Sequence, residues 1–351
     1  MKTKFIRRIF LPLLLVLGAN GIAAGQDFSV ADREGNNYYF NVIDSQNNYV
    51  ELTFAGKASK PDVYAYRGDL TIPVKVKHDG TVYTVKSIGP KAFAGAVELT
   101  GVTIPASVDY ICEFAFDNCT KLSKIIFPGS QVEIMKGAFF RCSSLKNITL
   151  GSDWKTIDLE IFKWSKSLRE IRIPAKVTKI SNVKSLPCLA KIDVDDNNPN
   201  FASVSGVLYN KDKTILYACP LAYSGTLYVC EGTVEIYNGA LNDCARLSGV
   251  VFPKSLTSVS YQVLSRAVSL VSVRFMANSV VKTAEINGAK YFALINPNAA
   301  SVKIEVPAPL KKLYKSAMKY PGYNFSEIDG GVTKKIYSEQ LVLVKNVKGI
   351  K

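Results

Sequence analysis

A chain of 351 residues can bury a substantial core without disulfide staples, and its formal charge of +15 favours acidic partners. It contains one histidine, His78, which argues against the serine, cysteine and most zinc hydrolases, whose chemistry needs a well-placed imidazole. No two cysteines stand in the C-x-x-C spacing of zinc or thiol-redox motifs, so no metal or cofactor is expected.

In chain order, the first element is an export signal. Lys2, Lys4, Arg7 and Arg8 precede the apolar run Ile9 to Leu17, and the small residues Ala23 and Gly25 lie just before Gln26. That layout predicts a secretory signal over residues 1–25, cleaved after Gly25 and too short to span a bilayer. No cysteine follows the cleavage point, which argues against a lipid anchor there. No later stretch reaches about 18 apolar residues, so no transmembrane segment is expected in the mature chain, which should be secreted or held at the cell surface. Loss of residues 1–25 removes four basic side chains and lowers the charge from +15 to +11. Residues 276–351 hold 12 basic and 5 acidic side chains, so the excess gathers at the C-terminal end. Such a balance suits anionic glycans or membranes, export makes nucleic acid an unnatural partner, and an ordinary lysine-rich surface is the plain alternative.

Residues 26–87 alternate apolar and polar side chains, as in Asn37 to Ile43 and Tyr49 to Phe54, and are expected to form a small antiparallel β-rich cap. His78 falls in Val76-Lys77-His78-Asp79-Gly80, a strand entering a turn, where an exposed imidazole is expected.

From Ile88 a repeat governs the chain. Ile88, Ile111, Ile134, Ile157 and Ile180 follow one another at 23 residues, and Ile236 and Val259 resume the period. Aligned columns hold Phe93, Phe116, Phe139, Phe162, Leu241 and Leu264, and then Leu99, Leu122, Leu145, Leu168, Leu247 and Leu270. Val102, Ile125, Ile148, Ile171, Val250 and Val273 come next, followed two residues later by Ile104, Phe127, Leu150, Ile173, Phe252 and Phe275. Pro105, Pro128, Pro174 and Pro253 often close the unit. The L-x-x-I-x-I segment puts its last two apolar residues on one face of a short strand, and the proline stops the pairing from running on. One unit cannot bury its own apolar face, so units must stack, with parallel strands and a shared core. Six to seven coils are expected. The coil opened by Ile180 departs from the rule: Ser185 replaces the phenylalanine, and Leu189 and Ile192 arrive two residues early, which predicts a disturbed sheet there.

This unit, with its A-F, Cys and L-x-x-I-x-I-P elements, resembles the BspA-like leucine-rich-repeat surface proteins over residues 66–275. Tyr66 to Pro73, Val82 to Val85 and Asn197 to Pro220 add to the likeness. The resemblance implies an α+β or β-rich solenoid: a right-handed leucine-rich-repeat coil with its parallel sheet on the concave face, over 88–275. It also implies adhesion to host matrix proteins or to other cells.

Seven cysteines remain after cleavage, an odd number. Cys119, Cys142 and Cys244 share a repeat column and read as compact buried thiols donating weakly to backbone carbonyls. Cys119–Cys142 and Cys219–Cys230 are the bridges open to the chain.

Residues 195–232 interrupt the period. Gly206 to Tyr209 and Thr214 to Tyr217 bracket Asn210-Lys211-Asp212-Lys213 and predict a projecting β-hairpin. Asp193, Asp195 and Asp196 lack the glycine and distal glutamate of a calcium loop and read as a solvated turn. The C-terminal region 276–351 should cap the coil, with a basic helix at Lys311 to Met318 and a strand from Gln340 to Val347.

Strand alternation turns two rows of side chains away from the core. The expected contacts there are Thr103, Lys124, Ile126, Asn147, Thr149, Glu170, Arg172, Val251 and Arg274. Within these rows Glu170 is the only acid, so no catalytic pair of carboxylates is expected and an enzyme is not; a histidine-independent glycan hydrolase would need two such acids. The expected function is binding of a host extracellular-matrix or cell-surface protein, or an anionic glycan, with a purely structural envelope role as the alternative. The sequence carries no signal for oligomeric state.

Overall fold

The computed structural model describes residues 26–290, except 33–34, 58–59, 62–64, 130, 260–262, 278, 280, 284 and 287–288, together with 302–310 and 347–350. The expected signal segment, the basic helix at Lys311 to Met318 and residues 340–346 of the expected late strand lie outside these residues; the described C-terminal strand is Val347–Ile350.

The chain winds into a β-solenoid of about eight turns. Among the described residues, helix is confined to 3-10 turns at Leu159–Phe162, Val183–Ser185 and Ala308–Leu310. Each regular coil gives one strand to each of two parallel ladders. The opening aliphatic residues form the first, with Ile111 in register between Ile88 and Ile134, and Ile236 beside Val259. The L-x-x-I-x-I segments form the second, with Ile125 between Val102 and Ile148 and Val250 beside Val273. Two rungs extend the count beyond the expected six to seven: Arg67–Thr71 pairs with Glu98–Thr103, and Lys303–Pro307 pairs with Ser272–Phe275.

The turn between the two ladders is built the same way in the coils opened by Ile88, Ile111, Ile134 and Ile236, while the Ile157 coil uses the 3-10 turn Leu159–Phe162. The third residue after the opening aliphatic adopts a left-handed backbone at Lys91, Phe114, Gly137 and Gly239, and the seventh does so at Gly95, Asn118, Arg141, Asp243 and Arg266. Those two kinks point the intervening phenylalanine inward. Tyr66, Phe93, Phe116, Phe139 and Phe162 then stack along the core with centroid steps of 4.4, 4.7, 5.1 and 5.4 Å. Such spacings lie in the favourable range for aromatic pairs. The cysteine column does what its size and weak donor suggest: Cys119 Sγ donates to the Phe93 carbonyl at 3.0 Å and Cys142 Sγ to that of Phe116 at 3.1 Å. All seven cysteines are free thiols, so neither Cys119–Cys142 nor Cys219–Cys230 is bridged. The Cys119 and Cys142 side chains each have a carbonyl partner, and the Cys230 amide donates to Tyr209 Oη at 3.4 Å.

The ladders are interrupted where the coils crowd. A Cβ added to Gly151 would stand 1.8 Å from the Gly129 carbonyl oxygen, so only glycine allows that approach. Between Glu133–Ile134 and Thr156–Asp158 a side chain replaces the backbone pairing. Gln131 Oε1 accepts from the amides of Lys155 and Thr156 at 3.0 and 3.1 Å, and its Nε2 donates to the Thr156 carbonyl at 3.2 Å. The carboxamide thus reproduces one rung of sheet.

The interruption at 195–232 differs from the expected projecting hairpin. Phe201–Val204, Val207–Asn210 and Ile215–Ala218 form a three-stranded antiparallel meander, and its last strand pairs in parallel with Glu235–Ile236. It is therefore part of the solenoid wall. Val207, Leu208 and Tyr209 are all buried, because the middle strand has core on both faces: Leu208 joins the cluster running from Phe28 to Ala218, while Val207 and Tyr209 join the one running to Val306. The disturbed sheet expected at the Ile180 coil is observed. Glu170–Ile173 pairs only with Lys191–Val194, and the next ladder begins at Gly225–Tyr228.

At the other end, Phe28–Ala31, Asn37–Asp44 and Tyr49–Thr53 pair antiparallel, and Tyr49–Thr53 then joins Thr81–Ile88 in parallel. His78 is not the free turn residue expected. Its ring stacks on Phe28 at 4.3 Å with a 3° interplanar angle, because the Lys75–His78 strand folds back on Thr81–Ile88. Nearby, Glu51 accepts from Ser87 Oγ at 3.3 Å, and burial pushes its carboxyl above the ordinary value of 4.5. A raised folded-state pKa means stability that is full below the unfolded value and lost as pH rises through the folded one. Glu51→Gln should therefore melt higher than the parent at pH 7, with the gain shrinking toward zero near pH 4; a gain that is equal at both pH values would contradict this origin.

Candidate binding surface

The sequence-predicted contact residues lie in register on the second ladder, spread over three sheets. Thr103, Ile126 and Thr149 are direct neighbours across three rungs, as are Lys124 and Asn147. Glu170 and Arg172 share the two-stranded sheet with Lys191 and Asp193, and Val251 lies beside Arg274 in the five-stranded one. Thr103, Lys124, Ile126 and Val251 are half-buried; Asn147, Thr149, Glu170, Arg172 and Arg274 are exposed. The fold thus brings the first five together and keeps the remaining four in two further groups.

Each charged member is tied across a rung. Lys124 Nζ lies 3.6 Å from Asp69, whose other oxygen accepts from Thr100 Oγ1 at 2.6 Å. Glu170 pairs with Lys191 at 2.5 Å. Arg172 forks between Asp193 and Asp195, the latter at 3.2 Å. Arg274 Nε donates to Glu305 at 2.6 Å, and Lys303 binds the same carboxylate. Lys303 above all, then Arg274, holds the Glu305 carboxyl below the usual carboxylate range although burial opposes it. Asp195 is likewise held low, first by the Asn197 amide and then by Arg172, which makes it a turn cap and an ion-pair partner. The exposed pairs at Lys124, Glu170 and Arg172 contribute little to stability, while the Glu305 carboxylate is buried between its two cations; all of them fix the pattern of charge along the face.

Residues the sequence reading left out belong to the same face. Asp69, Lys191, Asp193 and Glu305 complete the pairs just named, and Tyr228, 69 % exposed, stands in register with Val251. A shallow open depression beside Lys124 and Asp69 is lined by Arg67, Gly68, Glu98 and Thr100. Among the described residues no group of three or more His, Cys, Asp or Glu side chains is placed to hold a metal ion, and no helix is long and apolar enough to cross a membrane.

Stacked parallel rungs, a recurrent inward apolar pattern and a ladder of outward side chains define a leucine-rich-repeat solenoid. The BspA type leucine rich repeat region matches in six copies over residues 82–197 and 216–292, more than half of the chain, and the chain belongs to that family. A leucine-rich repeat protein from Bacteroides ovatus shares the fold, with a TM-score of 0.51 at 22 % identity, covering 80 % of this chain and 71 % of that one. The pneumococcal vaccine antigen PcpA aligns over 84 % of this chain and 97 % of its own at 17 % identity and a TM-score of 0.44. A leucine-rich cell surface protein from Faecalibacterium prausnitzii aligns over 92 % and 95 % at 20 % identity and a TM-score of 0.37. A search of curated proteins finds no match.

Proposed function

We propose that this protein is an exported, surface-associated binding module that engages a host matrix or cell-surface protein, or an anionic glycan, through the outward rows of its second ladder. The observation that supports this reading best is the register of those rows: Thr71, Thr103, Ile126 and Thr149 form one continuous line, and Tyr228, Val251 and Arg274 another. Large side chains left on a rigid sheet, with apolar and charged types interleaved, are what a protein-binding face requires. Family membership points the same way. The cross-rung ion pairs favour a second reading, a structural envelope component, since they occupy the charges a ligand would otherwise meet.

The test is saturable binding of the protein to immobilised matrix proteins and anionic glycans at low and moderate salt. Ile126→Glu and Tyr228→Ser change the face without unpairing a charge. Together they should weaken binding at least tenfold, about 1.4 kcal/mol, with the melting temperature unchanged. Binding that survives both substitutions would move the site off this face, and failure to bind every candidate would favour the structural reading.

A further inference from the structure

The seam between the two cores holds a polar cluster that the repeat does not call for. Four residues after the opening aliphatic, regular coils carry an apolar residue: a small buried alanine at Ala92, Ala115, Ala138 and Ala240, and Ile161 or Val263 in two others. In the coil opened by Ile180 that place belongs to Lys184. Its ammonium donates to the carbonyls of Cys219 and Asn242, both at 2.9 Å, and lies 3.5 Å from Cys244 Sγ. In regular coils the carbonyl equivalent to that of Asn242 accepts from an amide of the coil before it, as Asp117 does from Gly95 at 2.7 Å and Phe140 from Asn118 at 2.9 Å. At the seam Lys184 supplies that donor, and so brings a positive charge against a thiol.

Cys244 shares the column of Cys119 and Cys142 but is held differently. Cys119 and Cys142 have short carbonyl contacts of 3.0 and 3.1 Å. Cys244 Sγ has only long ones, 3.7 Å to the carbonyls of Cys219, Pro220 and Asn242. Cys219 Sγ lies 3.7 Å from that same Pro220 oxygen. Two sulfurs therefore converge on one carbonyl beside a cation.

We propose that Cys219 and Cys244 are a redox-active pair that closes to a disulfide across the seam, with Lys184 as the positioning residue that stabilises the reduced form. The oxidant is a small-molecule disulfide. The Cys244 thiolate attacks one of its sulfurs, the external S–S bond breaks and one thiolate leaves. Cys219 then gives up its proton to the departing thiol and attacks Cys244 sulfur in the mixed disulfide, expelling the second thiol. The protein loses two electrons and two protons, and the external disulfide gains them. Both sulfurs are fully buried, so exchange requires the seam to open, and the informative quantity is the equilibrium rather than the rate.

The surrounding charges agree with this assignment. The Cys219 thiol, and then the Lys184 charge and hydrogen bond, bring Cys244 down to about 7 against the opposing effects of burial and Asp243. Burial and the Cys244 thiol push Cys219 well up, with Lys184 opposing, and the phenols of Tyr209 and Tyr223 that face it are also pushed up. Cys119 is pushed well up by burial, Cys142 and Asp117, with no cation acting on it.

The experiment equilibrates the full chain with graded mixtures of reduced and oxidised glutathione at pH 6 and pH 8. Samples are quenched with acid, alkylated under denaturing conditions and mapped as peptides. A Cys219–Cys244 linked peptide is expected, with Cys119 and Cys142 alkylated at every ratio. Because a thiol at about 7 ionises between these pH values and an ordinary one near 8.5 does not, the bridging constant should fall about five- to tenfold from pH 6 to pH 8. Lys184→Met should weaken that dependence without abolishing it, because Cys219 also holds Cys244 down, and the parent's own pH series serves if the variant does not fold. Alkylation of both Cys219 and Cys244 at all ratios, or equal bridging of Cys119 to Cys142, would overturn the pair. Bridging with a pH-independent constant would overturn the role of Lys184.

Discussion

Phe116→Ala is expected to destabilise the protein by about 3–5 kcal/mol, read as a lower urea midpoint with little change in slope. Phe116 is fully buried and sits in the middle of the aromatic column, stacked on Phe93 at 4.7 Å and 7° and on Phe139 at 5.1 Å and 13°. Removing its ring takes a partner from both neighbours, and the coils on either side cannot close the gap, since their spacing is set by strand pairing. Phe114 on the same coil provides the contrast. It is half-buried and holds a left-handed φ of 55°, which is costly for a bulky residue. Phe114→Gly loses some packing but relieves that strain, so its net effect should stay within about 1 kcal/mol. Equal effects at the two positions would refute the view that the inward column carries the stability.

Asn198→Ala is expected to cost about 3–4 kcal/mol, a large figure for a residue inside a turn. Its side chain is wholly buried and saturated: Nδ2 donates to the carbonyls of Pro174 and Val177 at 2.9 and 3.0 Å, and Oδ1 accepts from the amides of Asn200 and Phe201 at 2.8 and 2.9 Å. Alanine would leave those groups without their partner in a dry site, each at about 1–3 kcal/mol, partly offset by a 3.4 Å contact from Asn200 Nδ2 to Val177. Asn198→Asp is the sharper variant. It keeps the acceptor for two amides but sets an oxygen against two carbonyls, so it should be at least as damaging at neutral pH and recover as the carboxyl is protonated. Thermal melts across pH 4 to 8 separate these contributions.

The periodic part of this architecture was legible because every coil repeats the same burial problem at the same spacing. The inward columns at Ile111, Phe116 and Ile125 needed only alternation and count. Asn198 was not legible as a core residue. It stands in Asp195-Asp196-Asn197-Asn198-Pro199-Asn200, which reads as solvated, and its burial comes from Pro174 and Val177 of the coil before it. The meander was half legible: Val207–Asn210 and Ile215–Ala218 carry apolar runs on either side of a turn, while Phe201–Val204 mixes apolar and polar residues and does not announce itself. On the candidate surface the ion pairs could have been foreseen. Once Ile192 is seen to arrive two residues early, Asp193 follows it as Arg172 follows Ile171, and Glu305 follows Ile304 as Arg274 follows Val273. What periodicity does not supply is which of several nearby acids a flexible cation will choose, because that depends on rung-to-rung reach.

The partition by the meander bears on how the chain comes into being. One buried cluster draws its residues from Phe28 to Ala218, the other from Val207 to Val306, and they overlap in sequence only along the shared wall. A polypeptide emerging N-terminus first can therefore complete its first half before the second has been made. The exposed edge of Glu235–Ile236's partner strand, Ile215–Ala218, then serves as the template on which each later coil is laid down. Assembly in that order never asks a late residue to insert into an early core, so synthesis and folding can run in the same direction without waiting for the end of the chain.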